Sequence, residues 1–220
     1  MTGIKISPKG IKEVLLDFPL YIITRPFKGF DEMKFLKRGD LRYAVFIMIM
    51  AGFVAIMRAA YTGFMVTGFW QENTYIFVPG ILLFTYSPII LFCVANWSIT
   101  TITNGKGNFK EIFLTYAYSM FPMVFCTIIG IILSNVVTGN EAAFAVFFFV
   151  FGVILQYAYL FVGLIVIHEY TLLQAILMVL LTVLAMLIIT FVAALFFSLA
   201  SNVVSFFSTI YWELNSHWLG

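Results

Sequence analysis

Charge is what this chain has least of. It holds 12 Lys and Arg and 10 Asp and Glu, together 10% of 220 residues, where soluble domains carry about 25%. Hydrophobic residues supply 63%, and so few charged side chains could not screen that much apolar surface from water. The composition implies an integral membrane protein. Two cysteines and two histidines are too few for a disulfide scaffold or a conventional zinc cluster. A net charge of +2 lacks the basic excess of a nucleic-acid binder, and disorder is incompatible with the apolar content.

Basic residues are also scarce in most of the chain. Nine lie within the first 42 residues: Lys5, Lys9, Lys12, Arg25, Lys28, Lys34, Lys37, Arg38 and Arg42. Only Arg58, Lys106 and Lys110 follow. Five apolar stretches, at 43–68, 75–98, 112–137, 143–167 and 172–199, each exceed the ~20 residues that cross a bilayer. Alternate connections then hold eleven Lys and Arg on one side and none on the other. The positive-inside rule predicts a cytoplasmic N-terminus and an external C-terminus. Tyr43, Trp97 and Tyr170 fall at the inner interface in this scheme, and Trp70, Tyr75 and Trp212 at the outer one. The fold expected is all-α and polytopic, with five transmembrane helices and amphipathic helices at both ends.

Residues 1–42 do not read as a cleaved signal peptide, because Asp17 and Pro19 break the apolar run and no small-residue cleavage site follows. Ile11, Val14, Leu15 and Phe18 recur at helical spacing, and Pro19 is expected to stop that helix at Phe18. A second short helix is expected at 32–38, capped by Asp31, stapled by Phe30 on Phe35 and ended by Gly39. This basic collar suits anionic headgroups, or headgroups and a cytoplasmic partner together. Beyond the fifth span, Val203, Phe207, Ile210 and Leu214 form a stripe at steps of four, three and four. Residues 200–220 read as an outer interfacial helix, or as a continuation of the fifth span bending at Ser201–Asn202. They would anchor the chain or dock an extracytoplasmic partner.

Catalytic chemistry is hard to find. Arg58 is the one basic residue inside a span, placed toward the outer half; it can snorkel, pair with a polar neighbour, or contact a substrate or lipid. Glu111, Glu141, Glu169 and Glu213 all lie at span edges or in the tail, which argues against an acidic proton relay. His168–Glu169–Tyr170 reads as an interfacial polar cap, since adjacent helical residues diverge by about 100° and no further ligand follows at metal spacing. Cys93 and Cys126 differ in depth by roughly 13 Å, too far for a disulfide. No catalytic, cofactor-binding or metal site is expected. Pro79, Pro88 and Pro122 read as helix kinks. Ala51/Ala55 and Gly130/Ser134 are small pairs that allow close helix approach, and Asn96 and Gln156 can hydrogen-bond across helices.

The hydrophilic loop at 103–110 has turn-forming Asn-Gly and Gly-Asn pairs, with Asn108 placed to cap the third span. It lacks the Gly-Lys-Ser/Thr ending of a nucleotide loop. Arg25-Pro26-Phe27, Asn96-Trp97, the Asn-Gly-Lys-Gly-Asn-Phe-Lys turn at 104–110, and Tyr118 with Pro122 resemble the Yip domain family over about residues 20–200. The resemblance implies five spans and a cytoplasmic N-terminus. Eukaryotic members are Golgi and endoplasmic-reticulum proteins linked to Rab GTPases, with a longer and less basic cytoplasmic region; no Rab-contacting residue is carried over. The compact form is more similar to bacterial members of the Gram-positive branch, some of which accompany permease subunits of ABC importers for plant-cell-wall oligosaccharides.

The expectation is therefore a non-enzymatic accessory subunit in the plasma membrane of a bacterium, without cofactor, associated with an ABC-type oligosaccharide importer. A small stand-alone transporter or channel is the alternative, and a membrane-shaping or trafficking protein a third. Partners expected are membrane lipids, ABC permease subunits and an extracytoplasmic solute-binding protein, with no nucleic acid. Candidate contacts are Arg25, Lys28, Lys37, Arg38, Arg58, Lys106, Lys110, Val203, Phe207, Ile210 and Leu214.

Overall fold

A computed structural model describes residues 17–63, 66, 76–103 and 105–218, with side chains as far as Glu213. Eight α-helices run through the described residues: α1 Phe18–Thr24, α2 Pro26–Phe35, α3 Leu41–Tyr61, α4 Val78–Ile102, α5 Phe109–Ser119, α6 Phe121–Ser134, α7 Ala142–His168 and α8 Leu172–Trp218. A short 3-10 turn at Gly139–Glu141 precedes α7. Five helical segments are long and apolar enough to cross a membrane, α5 and α6 counting together as one. The all-helical, five-span architecture is as expected.

The prolines account for most differences in the local structure. Pro19, Pro26 and Pro79 each occupy the first turn of a helix, where a missing N–H has no partner to lose and the fixed φ suits the helix. Pro19 thus starts α1 instead of ending a helix at Phe18, and Pro79 starts α4 instead of kinking it. The second short helix begins at Pro26, not Asp31, and ends at Phe35. The helix expected at 11–18 lies almost wholly outside the described residues. Pro88 is interior to α4, and Pro122 follows the break at Met120 that divides the third span into α5 and α6. Asn108 takes the extended N-cap conformation before α5, and its N–H donates to the Glu111 carboxylate at 3.0 Å. The expected cap is present.

One core joins the collar to the spans. Phe18, Ile22, Phe30 and Met33 are buried with Tyr43, Ile47, Ile112, Tyr118, Leu160 and Leu164. α2 packs on α7 through Gly163, where a Cβ would stand 2.3 Å from Thr115 and 3.2 Å from Phe30. Tyr159 of α7 donates to the Ile23 carbonyl at 2.8 Å. The collar is therefore built into one end of the bundle as well as offering a surface. Tyr43 departs from its expected interfacial place: it is fully buried, stacked on Tyr118 with ring centroids 4.2 Å apart.

At the opposite end, Gly63 N–H donates to Ser134 Oγ at 2.9 Å and Asn135 donates to the Tyr61 carbonyl at 2.7 Å. The small pair Gly130/Ser134 thus brings α6 against the end of α3 and against Phe149 of α7. α8 packs chiefly along α4. It continues without interruption through Ser201–Asn202 to Trp218, which is the continuation alternative and not a separate tail helix.

Candidate functional site

His168 organises the end of the bundle where the collar sits. It is the last residue of α7 and is buried. Its Nδ1 accepts the Gly107 N–H at 3.2 Å, which leaves the proton on Nε2 to donate to Asn96 Oδ1 at 3.3 Å. Asn96 in turn donates from Nδ2 to Thr182 Oγ1 at 3.1 Å, and Thr182 donates to the Met178 carbonyl at 2.8 Å. A single chain of hydrogen bonds thus joins the 105–108 loop, α7, α4 and α8. Tyr170 stacks on the imidazole with centroids 5.0 Å apart. The expected cross-helix role of Asn96 is realised here.

Glu169 ends α7 in the left-handed conformation, φ 56°, which turns its carboxylate back toward two lysines. Lys34 of α2 lies 2.7 Å away on one oxygen, and Lys106 pairs with the other. Hydrogen bonds from Lys106 and then from Lys34 hold its carboxyl down to about 2. Gly107 allows the loop to close on this hub, since a Cβ there would lie 2.5 Å from His168 Cε1. The polar cap expected at 168–170 is thus the knot that ties the collar and the internal loop into one face. Lys34 was not among the expected contacts, and no local signal could have paired it with a residue 135 positions away.

Around this knot lies a basic surface. Arg25, Lys28 and Lys110 are exposed, and Lys37 is exposed with φ 51°. Arg38 is committed to Glu32 and lies over the Phe18 ring at 5.1 Å. Tyr21 donates to the other Glu32 oxygen at 2.8 Å; burial raises the Glu32 pKa, but these two hydrogen bonds outweigh it and leave it lowered. Leu20, Phe27, Phe35 and Leu36 are exposed among these charges. Large apolar side chains between cations suit a headgroup interface.

The remaining candidates lie elsewhere. The Arg58 guanidinium sits 4.5 Å from the Phe149 ring and lines a cavity of about 310 Å³ between α3, α4, α5, α6 and α7. Gln156, buried on α7, and Tyr116 line its deeper part. Val203, Phe207 and Ile210 are exposed on α8, while the side chain of Leu214 is outside the described residues. Basic face, Arg58 and α8 stripe are three separate places, not one site. Cys93 and Cys126 are free and buried.

Five apolar helical spans and one polar, mostly basic end define a polytopic helical membrane protein. A family model described as the Yip1 domain matches residues 20–212. The chain belongs to the Yip1 domain family. No curated protein and no solved structure matches it.

Proposed function

We propose that this protein is a non-enzymatic accessory subunit of a membrane complex, with its basic end in the cytoplasm. The observation that carries this reading is α8. Its 47 residues extend about 70 Å at 1.5 Å per residue, more than twice the ~30 Å of a hydrocarbon core. From Phe191 to Glu213 nearly every side chain is exposed, Phe196, Phe197, Leu199, Val204, Phe206 and Phe207 among them. An apolar helix that its own bundle leaves uncovered is suited to packing on another membrane protein.

The partner proposed is the permease pair of an ABC-type oligosaccharide importer in a bacterial plasma membrane. The outer part of α8 would lie beside the extracytoplasmic solute-binding protein. This choice of partner extends the family membership by the resemblance of the sequence motifs to bacterial members described above. Mild-detergent purification of the full chain from native membranes tests it: permease subunits should co-purify, and sugar uptake should fall in a deletion strain. Full uptake together with no co-purifying permease rejects the reading.

The Arg58 cavity favours a second reading, a small transporter or channel acting alone. Liposomes holding only this chain should then pass solute, whereas sealed liposomes across a broad solute panel reject it.

A further inference from the structure

We infer that the Arg58 cavity is a binding site for one anionic phospholipid, its phosphate on the guanidinium and an acyl chain between the helices. The cation comes first in the argument. Arg58 lies three residues before the end of α3, and among the described residues no carboxylate pairs with it; the Phe149 ring is its one side-chain partner. Arg58 is exposed in the last turn of α3, where its long side chain holds a positive charge at headgroup level. Arg58 is the one charged residue among those that line the cavity. The electrostatic demand is for an anion.

Shape then selects the rest of the molecule. The lining runs inward from Arg58 on α3 to Tyr116 and Gln156, so the cavity is a cationic mouth followed by a mainly apolar track. Its 310 Å³ is at the lower end of the roughly 300–1,000 Å³ typical of small-molecule sites. A second apolar cavity of about 400 Å³ is lined by the same Pro88, Tyr116 and Tyr157 and, farther along α7, by Leu160 and Leu164. The lining residues of the two neighbouring cavities, from Val153 to Leu164, span about 17 Å of α7. A rigid polar solute would leave most of this track unfilled, whereas a hydrocarbon chain matches it. A phosphate at the outer end of α3 also lies where headgroups lie in the orientation proposed above, on which the lipid chemistry itself does not depend.

The test is native mass spectrometry of the full chain, purified in detergent and offered phosphatidylglycerol, phosphatidylcholine, oleate or inorganic phosphate. A phosphatidylglycerol adduct should persist on the wild type and on Arg58→Lys. It should fall at least fivefold in Arg58→Gln, and in Ala55→Phe, which narrows the track one turn below Arg58 while the positive charge is retained. Thermal unfolding of each variant establishes that it is folded, and should Arg58→Gln not fold, Ala55→Phe decides. Equal phosphatidylglycerol retention in Ala55→Phe or a folded Arg58→Gln overturns the inference. So does phosphatidylcholine, oleate or inorganic phosphate bound as well as phosphatidylglycerol. Solute flux in liposomes is read separately, so failure of this site and failure of either proposed function are distinguishable.

Discussion

His168 Nε2 lies 3.3 Å from Asn96 Oδ1, a bond between two buried side chains 72 residues apart. Removing either side chain strands the other in a buried setting, which costs about 1–3 kcal/mol. Asn96→Leu and His168→Leu should therefore each lower the stability of the detergent-solubilised protein by about that amount. The double variant should lose less than the sum, by at least about 0.5 kcal/mol. A thermal double-mutant cycle measures the difference, and strict additivity would break the proposed coupling.

Gly107 faces the same imidazole from the loop. A methyl group there would stand 2.5 Å from His168 Cε1 and 2.8 Å from Nδ1, so the loop or the ring must shift. Gly107→Ala should destabilise by about 1–3 kcal/mol, with faster hydrogen exchange at residues 105–108. Unchanged exchange would show that the loop does not rest on His168.

Glu169 gives the basic face a pH dependence. Its folded pKa is lowered to about 2 from an ordinary 4.5, so its stabilising contribution is complete above about pH 4.5. The contribution is lost as pH falls from there toward about 2. Hydrogen exchange in the 105–108 loop, taken relative to the intrinsic amide rate at each pH, should rise over that interval in the wild type. In Glu169→Gln it should already be raised at neutral pH and change little on acidification.

Pro79 is in the first turn of α4, so Pro79→Ala restores an N–H that has no helical acceptor. Its effect on stability should stay within about 0.5 kcal/mol. A larger change in thermal unfolding would mean that the proline shapes the helix interior.

Residues 201–213 of α8 are exposed throughout. Truncation after Leu199 should accordingly leave thermal unfolding of the bundle within about 0.5 kcal/mol of the full chain. A sharp loss of stability would show that this segment covers the bundle.

Several elements were legible in the sequence because one property dominates them locally. Apolar runs longer than a bilayer leave few alternatives to a span, and Asn108 after a turn-forming Gly is a self-contained capping signal. The prolines were ambiguous for an equally local reason. Proline is compatible with a helix's first turn and with a kink, and its neighbours do not say which applies. Tyr43 has an interfacial position at a span edge in the sequence, but the collar and α5 enclose it against Tyr118. Gly163 and Gly107 look like ordinary glycines until Phe30, Thr115 and His168 arrive from other parts of the chain.

The sequence by itself determined the solvent. Scarce charge and abundant apolar length require a bilayer, and continuous apolar runs of more than about 20 residues cross it as helices, which satisfy each backbone group within their own segment. Only the tertiary structure decided where the polar chemistry gathers. Lys34 and Glu169 are 135 residues apart, His168 and Asn96 72 apart, and Arg58 faces Phe149 from another helix. Those meetings depend on which helices pack together, and helix packing is set by shape across the whole bundle, not by any local run of residues.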